Sequence, residues 1–88
     1  MSVTAYHFWS PTCVPCKHIK DYIEDLKDVF SQVKWVSVNI QNDPNDYMEK
    51  FNVKVVPTMV VVGKNGVHRH SGTSLGLYRS MLDNAVKA

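Results

Sequence analysis

Residues 9–17 read Trp9-Ser10-Pro11-Thr12-Cys13-Val14-Pro15-Cys16-Lys17, and they hold both cysteines of the chain as one C-x-x-C. An extended apolar segment precedes the pair and a helical period follows it. At such a junction the pair reads as a redox dithiol rather than a staple. A disulfide across so short a loop removes little entropy from the unfolded chain, so stability is a poor reason to keep it.

Working outward, residues 3–9 are rich in β-branched and aromatic side chains and end at Ser10-Pro11, which reads as a strand. Beyond Pro15 the period changes. Ile19, Tyr22, Ile23, Leu26, Val29 and Phe30 recur at helical spacing with Lys, Asp and Glu between them. Pro15 suits the first turn of that helix, where a missing N–H costs nothing. Residues 33–40 return to strand character, and Asn42-Asp43-Pro44 breaks the chain and offers a helix start. Tyr47, Met48 and Phe51 form the apolar side of a short helix. Residues 53–56 lead into Pro57, and residues 58–62 make a strong strand. Gly63-Lys64-Asn65-Gly66 is a hairpin turn returning through residues 67–71. Gly72-Thr73-Ser74 supplies a loop and an N-cap for a last amphipathic helix carrying Leu75, Tyr78, Met81, Leu82, Ala85 and Val86. The order β-α-β-α-β-β-α is an α/β pattern with one parallel crossover and one antiparallel hairpin. Without repeats or linkers, residues 1–88 read as a single domain.

Bulk properties narrow the function. The 88 residues are 44% hydrophobic, enough for a core that needs no metal or disulfide framework. A net charge of +2 with no basic run gives nucleic-acid binding no support. The longest apolar run, residues 59–62, is far below the roughly 20 residues of a membrane span. The N-terminal stretch lacks a positive start and is interrupted by Thr4 and His7, unlike a signal peptide. A reducing cytoplasm is the expected compartment.

The dithiol chemistry follows from position. The thiolate is the nucleophile, and unpaired N–H groups at a helix N-terminus stabilise it. Cys13 lies just outside the helix start, and Cys16 lies one turn further in. Cys13 is therefore expected to attack a substrate disulfide and Cys16 to resolve the mixed disulfide. The competing use is zinc: Cys13, Cys16 and His18 are close in sequence, and His68 and His70 share one strand face. Against it, the hairpin lies across the sheet and there is no second C-x-x-C, so no metal is expected. His68 and His70 read as exposed positions on an edge strand.

The run F-W-S-P-T-C-V-P-C-K resembles the active-site segment of thioredoxins. Val55-Val56-Pro57-Thr58 resembles the family's cis-proline loop, Lys64-Asn65-Gly66 its hairpin, and Gly72 its glycine before the last helix. The likeness spans residues 3–86, but the first strand and helix of a full thioredoxin have no counterpart. The size is nearer that of glutaredoxins. The resemblance implies a thioredoxin-like fold: a four-stranded mixed sheet of order 2-1-3-4, with helices one and three on one face and helix two on the other. It implies a cis Pro57 against the dithiol, blocking metal capture, with the Val56 main chain pairing strand-like with a substrate peptide. Thr12, Val14, Val56, Gly72 and Thr73 would rim the groove, glycine at 72 letting the substrate backbone approach closely. Trp9 would support the loop, or serve as a core aromatic at a strand end.

Four positions depart from the family pattern. His7 stands where thioredoxins carry a buried aspartate beneath the resolving cysteine. A histidine there is either a proton acceptor of pKa nearer neutrality, uncharged at rest, or a strand residue with a structural hydrogen bond. Ser37 falls at the family's partner lysine. Val14 replaces the usual glycine and Thr12 the usual tryptophan. Lys17 and His18 favour the thiolate modestly or are plain helix-surface residues. The implied function is a monomeric protein disulfide reductase whose only redox group is the Cys13–Cys16 pair. It would need no bound cofactor and draw electrons from a thioredoxin-reductase-type donor. One alternative is a glutaredoxin-like, glutathione-dependent reductase. Against it, no aromatic lies between or beside the cysteines at Thr12 and Val14-Pro15, and Gly72-Thr73-Ser74 lacks the Gly-Gly and following Asp. The other alternative is a non-catalytic binding module, which would need neither cysteine.

Overall fold

The computed structural model describes residues 2–88; Met1, which begins the N-terminal stretch read above, lies outside them. The elements are β1 (Thr4–Trp9), α1 (Val14–Val29), β2 (Lys34–Asn39), α2 (Tyr47–Lys50), β3 (Thr58–Gly63), β4 (Gly66–Ser71) and α3 (Leu75–Lys87). The sheet order is β2-β1-β3-β4, with β1 parallel to β2, antiparallel to β3, and β3 antiparallel to β4. This is the thioredoxin-like topology expected from the sequence. No helix among the described residues is long and apolar enough to cross a membrane.

Side-chain alternation along β1 builds two cores. Ala5 is fully buried among Ile19, Ile23 and Leu26 of α1 and Tyr78, Leu82 and Ala85 of α3. Phe8 points the other way, into a cluster with Val38, Val53 and Val60 beneath Tyr47, Met48 and Phe51. Period two on the strand thus divides one sequence run between opposite layers. The buried positions of α1, Cys16, Ile19, Ile23 and Leu26, follow the helical three-and-four spacing that aims a single stripe at the sheet. At the end of α1 the Trp35 indole donates to the Phe30 carbonyl at 3.2 Å, tying the helix C-terminus to β2.

One helix start differs from its sequence reading, and another lacks a side-chain cap. The short α2 begins at Tyr47 rather than beside Pro44, because Asp46 adopts a left-handed conformation (φ 55°). Asp43 still governs that start from a distance: its carboxylate accepts from the N–H groups of Tyr47 (3.1 Å) and Met48 (2.9 Å). Both are otherwise orphaned helix donors. Ser74 does occupy the N-cap of α3, but its hydroxyl makes no capping bond. The C-terminal side of α2 is held by Arg69 on β4, whose guanidinium donates to the carbonyls of Phe51 and Asn52. An exposed edge-strand arginine therefore fixes the segment that leads into residues 53–57.

Phe8 is the largest apolar group on the α2 side of the central strand, fully buried and edge-on to Phe51 at 6.4 Å between ring centres. Phe8→Ala should cost about 3–5 kcal/mol in urea unfolding, the range for emptying a buried aromatic site. Val67→Ala, at a position 58% exposed, should leave the midpoint within error.

Candidate active site

Strand β1 ends at Trp9, and the backbone turns at Ser10 to enter α1. The Cys13 N–H donates to the Ser10 carbonyl at 3.1 Å, which closes that turn. Cys13 is the N-cap of α1 (φ −85°, ψ 108°), and Pro15 lies in the first turn where no donor is missed. The two cysteines form a disulfide with a Cα–Cα distance of 5.2 Å. Cys13 Sγ accepts the Cys16 N–H at 3.1 Å, so a sulfur does the work usually done by a capping oxygen. Exposure separates the pair: Cys13 is half-buried, whereas Cys16 is 5% exposed.

The loop before Cys13 is clamped by Trp9 and Thr12 together with Ser10 and Gln41, which the sequence did not flag. Ser10, nearly buried, shares a hydrogen bond with the Thr12 hydroxyl at 3.1 Å. Gln41, beyond the end of β2, donates its amide to Ser10 Oγ at 3.2 Å. Trp9 is half-buried and its indole donates to Ser37 Oγ at 2.7 Å. Ser37, noted above only as a missing lysine, thus orients the Trp9 ring. Isolated polar side chains carry no periodic signal, and the parallel pairing of β1 with β2 brings residues 37 and 41 to this place.

Pro57 lies at the same end of the sheet, because Phe8 pairs with Thr58 and Thr58 with Ser71. The Val56–Pro57 bond is cis. Pro57 itself is buried, Val56 is half-buried, and Val14 and Val55 are 58% and 56% exposed. The Thr58 hydroxyl donates to the Val55 carbonyl at 2.7 Å and lies 2.7 Å from Ser71 Oγ. Gly72 has φ +120°, a conformation side chains rarely adopt, and its N–H donates to the Pro57 carbonyl at 2.9 Å. An added Cβ there would meet only His70 Nε2 at 3.8 Å, so backbone conformation, rather than crowding within the chain, requires glycine. Thr73 is exposed beside it.

His7 is 7% exposed, and its Nε2 is enclosed with no hydrogen-bond partner. It lines a cleft of about 390 Å³ together with Cys16, Trp9, Ser37 and α1 residues Lys17, Lys20, Ile23, Glu24 and Lys27. Burial, then the positive charge of Lys27, lower its pKa to about 4, with Glu24 opposing. The sequence reading of a base nearer neutrality is thereby corrected: burial disfavours the imidazolium so strongly that its acidity resembles that of an ordinary carboxyl. The structural hydrogen bond considered as the alternative is not made at Nε2.

The four histidines do not assemble around the dithiol. Among the described residues, no group of three or more His, Cys, Asp or Glu side chains is placed to hold a metal ion. His68 is exposed on β4, as read from the sequence. His70 departs from that reading: it is half-buried and packs edge-on against Tyr78, ring centres 5.6 Å apart.

The thioredoxin family model matches residues 3–86. The thioredoxin of Rickettsia conorii is 31% identical over 77 residues, covering 86% of this chain and 71% of that protein. The thioredoxin of Mycoplasma genitalium is 36% identical over 62 residues, covering 70% and 59% of the two chains. Among solved structures, thioredoxin from Trypanosoma brucei brucei superposes with a TM-score of 0.87 at 25% identity, covering 99% of this chain and 77% of that one. That of Fasciola hepatica gives 0.86 at 21% identity, covering 96% and 81%. A cysteine pair at a helix start beside a buried histidine is thus found on a family scaffold: the chain belongs to the thioredoxin family and is a thiol–disulfide oxidoreductase that reduces protein disulfides.

Proposed function

We propose that Cys13 is the attacking sulfur and Cys16 the resolving one. The observation that carries this is the asymmetry of the pair: Cys13 is accessible and its sulfur accepts the Cys16 N–H, while Cys16 is sealed beneath the helix start. That N–H and the α1 dipole both favour a thiolate at position 13. The thiolate attacks one sulfur of a substrate disulfide, forming a mixed disulfide and expelling the other substrate sulfur as a thiolate. Cys16 then loses its proton and attacks Cys13 Sγ. The intramolecular disulfide forms, the second substrate thiolate leaves, and two electrons have passed to the substrate.

His7 is the proposed acceptor of the Cys16 proton. Neutral above about pH 4, it is available as a base across the physiological range. The shared cleft offers water a route to carry the proton outward. The groove is assigned to Thr12, Val14, Val56, Pro57, Gly72 and Thr73, with Trp9 and Pro15 supporting. The exposed apolar surface of Val14 and Val55 supports a peptide-binding role, since protruding valines of this kind gain from contact with a partner. Thr12 contributes more as part of the Ser10–Gln41 clamp than its position on the rim alone suggests. The chain acts as one domain and a monomer in the cytoplasm, needs no bound cofactor, and is recharged by a thioredoxin-reductase-type donor. Relatives that are themselves thioredoxins favour this over the glutathione-dependent and non-catalytic alternatives.

Cys16→Ser should trap a mixed disulfide through Cys13, visible as a shifted band on a non-reducing gel. Trapping through Cys16 in Cys13→Ser, with none through Cys13, would reverse the roles. His7→Ala should slow turnover about 10²-fold, the lower end for a positioned general base, while moving the equilibrium potential much less. A pH effect on stability follows as well. The folded pKa lies below the unfolded value, so only the unfolded chain takes up the proton between pH 6.5 and 4, and stability falls as pH drops through that window. For the disulfide form, this histidine should remove about 2 kcal/mol between pH 7.5 and pH 5. Denaturant titration of His7→Leu should show that part of the pH dependence gone.

A further inference from the structure

Tyr78 sits in the first turns of α3 with no exposed surface. Its sequence spacing marks it as core, and a leucine or phenylalanine would fill the core as well. A buried tyrosine, however, needs a partner for its hydroxyl. Here the hydroxyl donates to the Gly72 carbonyl, with the Pro57 carbonyl at 3.5 Å as a farther acceptor. The Pro57 carbonyl in turn accepts the Gly72 N–H at 2.9 Å. One phenol therefore reaches both loops that end at the dithiol side of the sheet, and His70 braces its ring edge-on. Burial raises the Tyr78 pKa to about 12, so the hydroxyl remains a donor at neutral pH.

We infer that Tyr78 is a positioning residue for the substrate groove: from inside the core, its hydroxyl fixes the backbone at 57 and 72 against which a substrate peptide aligns. The inference rests on the groove reading of Val56, Pro57 and Gly72. A strand-like contact is made by main-chain groups, so its strength depends on how well the receiving backbone is held. Gly72 has a backbone freedom that other residues lack, and a tether on its carbonyl limits that freedom. Peptide substrates should feel the tether; small disulfides without a peptide backbone should not.

Tyr78→Phe keeps the ring and deletes only the donor. Its kcat/KM for a protein disulfide such as insulin should fall about five-fold, the factor one net hydrogen bond is worth, through a higher KM with kcat kept. Reduction of hydroxyethyl disulfide and the Cys13–Cys16 potential should be unchanged. Amide exchange at Gly72 should quicken while that of β1 and β3 does not. A merely structural role predicts otherwise: both substrates slow together, or neither does, and either result overturns the inference. The parent chain separates the two levels. If it reduces protein disulfides and Tyr78→Phe reduces them equally well, the inference fails and the groove reading stands. If the parent chain reduces no protein disulfide, both fail.

Discussion

Strand β1 is hydrogen-bonded along both edges and covered on both faces, and the rest of the molecule is placed with respect to it. A six-residue strand so enclosed has no freedom to slip, because a shift of one position would exchange Ala5 and His7 with Tyr6 and Phe8 between layers. The register of β1 therefore sets the point where the chain leaves the sheet at Trp9. That point sets where α1 begins, and the first turn of α1 holds both sulfurs. The chemistry at Cys13 is thus anchored in the packing of Phe8 and Ala5 rather than in the loop.

The same alternation decides the environment of Cys16. His7 falls on the Ala5 side of the sheet, beneath α1, where Cys16 is also buried. Taking an imidazole out of water and setting Lys27 nearby both penalise its charged form. The result is an imidazole that stays neutral, with its Nε2 unpartnered. Where a carboxylate in this position would bring a buried negative charge, the histidine brings none at rest, and no countering lysine is needed at residue 37. Ser37 is left to hold the Trp9 indole.

On the other side of the dithiol the loops at residues 55–57 and 72 are held from behind. Thr58 and Ser71 secure the Val55 carbonyl, Gly72 pairs with Pro57, and Tyr78 reaches Gly72 from the core. Arg69 holds the carbonyls of Phe51 and Asn52 at the start of the same connection. Under the proposed groove reading these loops accept a peptide backbone and cannot also be packed on their outer face. Their order has to come from hydrogen bonds on the inner one.

The sequence by itself determined a great deal of this protein. Helical and strand periods located all seven elements to within a few residues, since amphipathic burial writes itself into spacing. The C-x-x-C at a strand-to-helix junction gave the chemistry, and Pro57 and Gly72 marked the loops around it. The short helix was placed less well, because the left-handed turn at Asp46 and the remote cap from Asp43 have no local signature. Only the tertiary structure decided which side chains meet across the sheet. Gln41 on Ser10, Ser37 on Trp9 and Arg69 on Phe51 are contacts between residues far apart in the chain. It also decided how weak a base His7 is. Desolvation and the field of Lys27 act through space, and neither distance nor burial is encoded in the neighbours of a residue along the chain.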